Sequence, residues 1–183
     1  INMYIIACID SLSKGIPVIT PRSAGHFIEA CMVCLDSQDH ATGVRMIVKT
    51  DDDELCFLLD WDEKVTDAHY RAHGGNDKRT TELGATAIAL PVMRKVTEYT
   101  AIQEASIGTT VDYFLRTQDI DDTFIFDEIE AYCEVRGIRR ETSSNSVNQA
   151  VNRKINRLDT PEDLPSYIVV VEFSRPFTRV RCV

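Results

Sequence analysis

The segment SYIVVVEF, residues 166–173, constrains the fold of this chain more than any other stretch. Its apolar run is continuous, whereas a strand with one solvated face alternates apolar and polar residues. A continuous run of this kind is typical of a strand that is covered on both faces. We therefore expect residues 166–173 to form a central strand of a sheet that has helices on either side.

The residues that precede this segment predict the other parts of such a sheet. A helix is expected at 79–97, capped by Thr80 or Thr81 and kinked at Pro91, because a proline inside a helix removes one hydrogen bond. A second helix is expected at about 145–158, where apolar residues recur at helical spacing. Strands are predicted at 100–105, 110–116 and 129–136.

The beginning of the chain predicts a helix and a hairpin. The helix is expected at 23–37, and the two strands at 43–49 and 55–61 are separated by an acidic turn. The two glycines of HGGND, residues 73–77, mark the best internal boundary. The predicted fold is thus a single α/β (or α+β) domain with a mixed central sheet flanked by helices, divided into an N-terminal helix and hairpin extension (1–75) and a core (76–183).

Length and composition favour a single globular domain. The chain has 183 residues, of which 44% are hydrophobic, and this is enough for one well-packed core. No stretch approaches the roughly 18 apolar residues of a membrane span. The opening residues lack the basic region of a signal peptide, so we expect a cytoplasmic protein without a membrane partner.

The six cysteines do not follow the pattern of a disulfide scaffold. CMVC, residues 31–34, has the spacing of a metal or redox motif, but it lies within a predicted helix beside Phe27 and Ile28. No second CxxC is present to complete a zinc site. We interpret the cysteines as reduced, mostly buried residues of the core.

The net charge of −9 argues against nucleic-acid binding by the whole surface, but one segment has the opposite charge. Residues 136–157 contain six basic side chains and a single acidic one. They form either a solvated surface or a local basic site; the basic residues are Arg136, Arg139, Arg140, Arg153, Lys154 and Arg157.

Two carboxylates are expected on neighbouring strands. Asp112 lies within SIGTTVDYFLR, where strand alternation places it opposite the apolar residues, and Glu134 occupies the same kind of position on the next strand. Facing side chains of antiparallel strands approach to about 4.5–5.5 Å at Cβ, close enough to share a hard divalent cation. Arg136, two residues after Glu134, points to the same face.

The order helix, three strands, helix, strand in residues 79–173 resembles the αβββαβ core of the restriction-endonuclease-like, or PD-(D/E)xK, nuclease superfamily. In that superfamily the second strand carries an aspartate and the third carries Glu-x-Lys, while the first helix often adds a glutamate. The matching residues are Asp112, Glu134 and Glu82, and SIGTTVDYF is similar to the turn before the aspartate in archaeal Holliday-junction resolvases. The resemblance implies a metal-dependent nuclease that holds Mg²⁺ or Mn²⁺ with Asp112, Glu134 and Glu82.

The chain departs from this pattern at Arg136, where the superfamily has lysine. Arginine stays protonated and is a poor proton donor or acceptor, but it can bind a phosphate through two hydrogen bonds. Lys154 on the second helix is the candidate to replace the missing lysine. The catalytic residues predicted in this way are Asp112, Glu134, Arg136 and Lys154, and the predicted nucleic-acid contacts are Arg139, Arg140, Arg153 and Arg157.

Other interpretations stay open. TELGATAIA, GTTVDYFL, CEVRGI and LPSYIVVVEFSRP also resemble an uncharacterised family of bacterial proteins, which implies no activity. The alternative function is a noncatalytic interaction module of a bacterial multi-protein system, whose acidic surface meets a basic protein partner. A zinc site at His69 and His73 of HYRAH is disfavoured, because the motif lacks the glutamate of metalloproteases and an obvious third ligand.

Overall fold

A mixed sheet with helices on both faces runs through the computed structural model, which describes residues 4–74, 77–106, 108–117, 129–161 and 163–183. The helices are α1 (Pro21–Asp36), α2 (Asp67–Ala72), α3 (Asp77–Val96) and α4 (Val147–Ile155), and a 3₁₀ helix spans Ile9–Lys14. The strands are β1 (Tyr4–Cys8), β2 (Val44–Lys49), β3 (Glu54–Asp60), β4 (Ala101–Glu104), β5 (Tyr113–Arg116), β6 (Ala131–Ile138), β7 (Ser166–Glu172) and β8 (Phe177–Cys182). The expected α/β class with a mixed sheet is confirmed.

Among the described residues the sheet has eight strands in the order β1-β3-β2-β8-β7-β6-β5-β4. The pairs β1–β3, β2–β8 and β6–β7 are parallel, and the other neighbours are antiparallel. The strands from residues 1–75, the predicted extension, thus continue the same sheet as the strands of the predicted core. They join it through β8, where Ile47 pairs with Phe177.

The predicted central strand is confirmed. β7 lies between β6 and β8, and its residues 168–171 are fully buried. Ile168 and Val170 pack with α4, whereas Val169 and Val171 belong to the larger core beneath α1 and α3. The continuous apolar run therefore reflects cover on both faces, as the sequence indicated.

Helix α4 is shorter than expected and is fixed by a capping box at its start. Ser146 Oγ accepts a hydrogen bond from the Gln149 N–H (3.3 Å), and Gln149 Oε1 accepts one from the Ser146 N–H (3.0 Å). Val147, Ala150 and Val151 form its buried face. This packing leaves Lys154, in the last turn, beside the sheet rather than in the core.

Helix α3 approaches β6 closely because β6 contains a glycine. A Cβ atom added at Gly137 would overlap the backbone carbonyl and the side chain of Thr81, in the first part of α3. The helix continues through Pro91, which lies in its interior. Glycine at position 137 thus brings the first turns of α3 against the end of β6.

The CMVC cysteines belong to the core, as predicted. Cys31 and Cys34 are fully buried and not disulfide-bonded. The Cys34 thiol donates a hydrogen bond to the Thr80 carbonyl oxygen, and burial raises the pKa of Cys34 to about 12. A protonated thiol at neutral pH is a poor nucleophile and a poor metal ligand, so this pair acts as packing.

The sequence did not predict β1, α2, β8 and the 3₁₀ helix. The acidic segment DIDD, residues 119–122, lies outside the described residues. No helix in the described part of the chain has the length and apolarity needed to cross a membrane.

Candidate functional site

The candidate site lies where β6 continues beyond the end of its neighbour β5. The β5–β6 pairing begins at Tyr113, which lies opposite Cys133, so the later residues of β6 face no backbone partner from β5. Two side-chain carboxylates accept hydrogen bonds from the backbone N–H groups of these later residues instead. Asp112 Oδ2 accepts a hydrogen bond from the Val135 N–H (2.7 Å), and Glu82 Oε2 accepts one from the Gly137 N–H (2.9 Å).

Glu82 also binds Arg136. Its second oxygen, Oε1, forms an ion pair with Arg136 Nη1, so both carboxylate oxygens of Glu82 are engaged. Each of the two side chains is roughly one-third exposed. Arg136 is therefore held at the strand edge by the acidic residue of α3.

Glu134 and Lys154 form a second ion pair on the α4 side of the sheet. Glu134 is only 5% exposed, and Lys154 Nζ, from the last turn of α4, donates to Glu134 Oε1. A buried carboxylate needs such a partner because its charge is poorly solvated. The sequence placed both residues in the site but did not pair them.

Two neighbouring cavities share Lys154. The first, of about 340 Å³, contains Asp112, and the second, of about 330 Å³, contains Glu134. The first is lined by Lys78, Glu82, Leu83, Thr86, Asp112, Tyr113, Val135, Arg136 and Lys154. The second is lined by Thr110, Glu134, Lys154, Arg157 and Leu158. Lys154 thus pairs with Glu134 and also borders the cavity of Asp112.

The surroundings of Asp112 raise its pKa. Water reaches the residue, yet the protein atoms packed around the carboxyl group remove enough solvent to favour its neutral form. The Val135 N–H and the positive charge of Lys154 oppose this effect, but the pKa stays above the ordinary 3.8. A positive charge beside Asp112 would favour its ionised form.

Asp112 and Glu134 each have one carboxylate oxygen without a hydrogen-bond donor among the described residues, and the two side chains line different cavities. These oxygens are Asp112 Oδ1 and Glu134 Oε2. Within the same residues no group of three or more His, Cys, Asp or Glu side chains is placed to hold a metal. Mg²⁺ commonly needs only one or two protein carboxylates beside water and substrate oxygens.

The predicted basic residues do not form one patch. Arg139 donates to Ser37 (2.7 Å) and Thr81 (3.1 Å), and Arg140 donates to Gln38 (3.0 Å), all on the side of α1 and α3. Arg153 and Arg157 belong to the α4 side of the sheet, where Arg153 binds Asn145 (2.7 Å) in the loop before α4. Only Arg157 lines a cavity of the site. Arg139 and Arg140 therefore lie on the other side of the sheet from Arg153 and Arg157, so these four residues do not share one surface.

Lys78 is a site residue that the sequence did not indicate. It lies one helical turn before Glu82 on α3 and lines the cavity of Asp112. Helical spacing from Glu82 was the available signal, since residues four apart share one face.

The two histidines of HYRAH have structural roles. His69 Nδ1 accepts a hydrogen bond from the Thr66 N–H (3.1 Å) and completes the cap of α2. His73 is buried, lies 3.2 Å from a Glu29 oxygen through Nε2, and stacks on His26. The two side chains therefore have different partners.

Compared with models of known families, with curated proteins and with solved structures, the chain has no significant match.

Proposed function

We propose that the protein is a metal-dependent nuclease with a restriction-endonuclease-like core, which hydrolyses phosphodiesters of DNA or RNA at the two cavities that share Lys154. The observation that carries this proposal is that Lys154 pairs with Glu134 and also lines the cavity of Asp112. The order α3-β4-β5-β6-α4-β7 supports it as well, since it matches the order of elements in that superfamily.

The acidic residues would hold the cation. Asp112 and Glu134 each offer one carboxylate oxygen to Mg²⁺ or Mn²⁺, while Glu82 supports the site by holding Arg136 and the Gly137 N–H. A bound divalent cation lowers the pKa of a coordinated water and stabilises negative charge on a phosphoryl group. The raised pKa of Asp112 is consistent with a carboxylate that gains from a nearby positive charge.

The basic residues would bind and orient the substrate. Arg136 is fixed by Glu82 and can donate two parallel hydrogen bonds to a phosphate, but its permanent charge makes it unsuited to proton transfer. Lys154 is the residue that can both contact a phosphate and exchange a proton. Lys78 and Arg157 line the two cavities and supply further positive charge for the backbone of the nucleic acid.

The test is a cleavage assay on single-stranded DNA, double-stranded DNA and RNA with Mn²⁺ and with EDTA. We expect Mn²⁺-dependent cleavage that is lost in Asp112→Asn, Glu134→Gln and Lys154→Met. Asp52→Asn, in the exposed acidic turn between β2 and β3, is the matched control and keeps the activity. Cleavage by Asp112→Asn at the rate of the unmodified protein would overturn the assignment of the site.

One observation favours a noncatalytic interaction module instead. Asp112 and Glu82 satisfy backbone N–H groups of β6, and Glu134 is neutralised by Lys154, so each acidic residue also has a structural role. The thermal unfolding temperature with and without millimolar Mn²⁺ separates the two functions. A metal site raises the Tm in the unmodified protein but not in Asp112→Asn, since a ligand that binds only the folded state stabilises it. An unchanged Tm favours the module.

A further inference from the structure

A larger groove lies at the other end of α4 from Lys154. Helix α4 packs on β6 and β7, and its first turn forms one wall of a cavity of about 790 Å³ over β2 and β8. This volume is within the range typical of small-molecule sites. The lining residues are Arg45, Ile47, Lys49, Glu54, Glu141, Val147, Asn148, Glu172, Arg175, Pro176, Phe177 and Arg179.

The floor of the groove is apolar. Ile47 of β2 lies directly beside Phe177 of β8 in the parallel pairing, and both side chains are half-buried. Phe177 also packs on the small core under α4. One side of the aromatic residue is thus fixed by the protein, while its remaining surface faces the groove.

Basic side chains border this floor. Arg45 and Lys49 alternate with Ile47 along β2 and are exposed, whereas Met46 and Val48 between them are buried on the opposite face. Arg179 lies beside Lys49 on β8, and Arg175 extends from the turn before β8 with a side chain that is 76% exposed. Lys49 forms no ion pair with a described residue.

Two of the acidic side chains in the lining are committed to the backbone. Glu172 is buried and accepts hydrogen bonds from the N–H groups of Ser174 (2.9 Å) and Arg175 (2.7 Å). Glu141 accepts one from the Val147 N–H (2.7 Å) and pairs with Arg175. These carboxylates shape the turn before β8 and the start of α4. Glu54, the third acidic residue of the lining, is exposed and lies opposite Lys49 in the β2–β3 pairing, and Arg179 is paired with Asp51. The lining thus has four basic and three acidic side chains, a small excess of positive charge in a chain whose net charge is −9.

We propose that this groove binds a free nucleoside phosphate, with the base on Phe177 and Ile47 and the phosphates at Lys49 and Arg175. A ligand with a flat, weakly polar part and an anionic part matches an aromatic floor bordered by basic side chains. The exposed amide of Asn148, in the first turn of α4, can supply a hydrogen bond to the edge of a base. This site is separate from the proposed nuclease site and does not depend on a metal.

The test is isothermal titration calorimetry of the full chain with ATP, adenosine and tripolyphosphate, all in EDTA. We expect ATP to bind more tightly than either of the other two. Lys49→Gln should weaken ATP binding about tenfold or more, because a charge-assisted hydrogen bond contributes about 1.5–3 kcal/mol. Lys95→Gln, an exposed lysine at the end of α3, is the matched control and should leave the affinity unchanged.

Phe177→Leu tests the aromatic floor. It should weaken ATP about tenfold and leave tripolyphosphate unaffected, because stacking on an aromatic side chain contributes about 1–3 kcal/mol per base. Phe177 also packs under α4, so the Tm of this variant is measured as well. Because Lys49 is exposed at the end of its strand, we expect Lys49→Gln to fold normally. This variant therefore still tests the site if Phe177→Leu unfolds.

Several results would overturn the proposal. These are no ATP binding at millimolar concentration, tripolyphosphate binding as tight as ATP binding, and loss of ATP binding in Asp112→Asn but not in Lys49→Gln. A single-stranded oligonucleotide that competes with ATP and binds more tightly than ATP would assign the groove to nucleic acid instead.

Discussion

The carboxylate of Asp112 accepts a 2.7 Å hydrogen bond from the backbone N–H of Val135, on the part of β6 that extends past β5. The side chain thereby replaces the backbone oxygen that a longer β5 would have supplied. A residue proposed as a metal ligand thus also completes the edge of the sheet. The structural role can be measured by itself as a change in stability.

Asp112→Ala should lower the free energy of unfolding by about 1–3 kcal/mol, because it leaves the Val135 N–H without its partner. Asp112→Asn retains a side-chain oxygen that can accept the same hydrogen bond, so its loss should be smaller. Urea unfolding of the two variants measures the difference. Equal losses would show that the hydrogen bond contributes little.

The pH dependence of stability should reflect the raised pKa of Asp112. The folded protein retains the Asp112 proton to a higher pH than the unfolded chain, whose aspartate has the ordinary value of 3.8. The contribution of this group is therefore fully present below that value and is lost as the pH rises through the folded-state pKa. Unfolding measured from about pH 4 to about pH 7 should show the stability of the unmodified protein falling relative to Asp112→Asn. A rise with pH would contradict the direction of the shift.

Lys154→Met should destabilise the fold by about 1–3 kcal/mol, since Glu134 would keep a buried charge without its partner. The double variant Lys154→Met with Glu134→Gln should recover part of this loss by removing that charge. Chemical unfolding of the single and double variants gives the coupling between the two positions. Additive losses would contradict the ion pair.

Gly137→Ala should be among the most damaging single substitutions, with a loss of about 3 kcal/mol or more, because its Cβ meets the Thr81 backbone. Gly25→Ala is the matched control. Gly25 lies in α1 with no atom within 4 Å of the added Cβ, so alanine should stabilise the helix by up to about 1 kcal/mol. Similar thermal unfolding temperatures for the two variants would contradict the close contact of α3 with β6.

The sequence predicted the parts of the fold that depend on local pattern. The unbroken apolar run of β7 and the helical spacing of α3 and α4 are such patterns. The sequence did not predict β8, because its short strand has a weak signal beside that of β7, although the buried residues Thr178 and Val180 alternate with Arg179 and Arg181.

The candidate site was predicted as a set of residues but not as an arrangement. The Glu134–Lys154 pair depends on where α4 lies over the sheet, and this position follows from packing rather than from spacing in the chain. The double role of Glu82 likewise depends on the contact between Gly137 and Thr81. The position of Arg139 and Arg140, which were predicted as nucleic-acid contacts, also depends on packing, since their partners lie at the end of α1 and in the segment that follows it.

The position of β8 between β2 and β7 determines when the sheet can be completed during synthesis. Lys49 and Arg179 pair across these strands although 130 residues separate them. Until β8 has left the ribosome, β2 and β7 are open edges of two separate sheets, and each can pair with another chain. The pairing of β8 with β2 must also overcome the entropy of closing a long loop, and this cost makes the completion of the sheet a slow step. The nascent protein therefore depends on its last described strand for protection from aggregation as well as for stability.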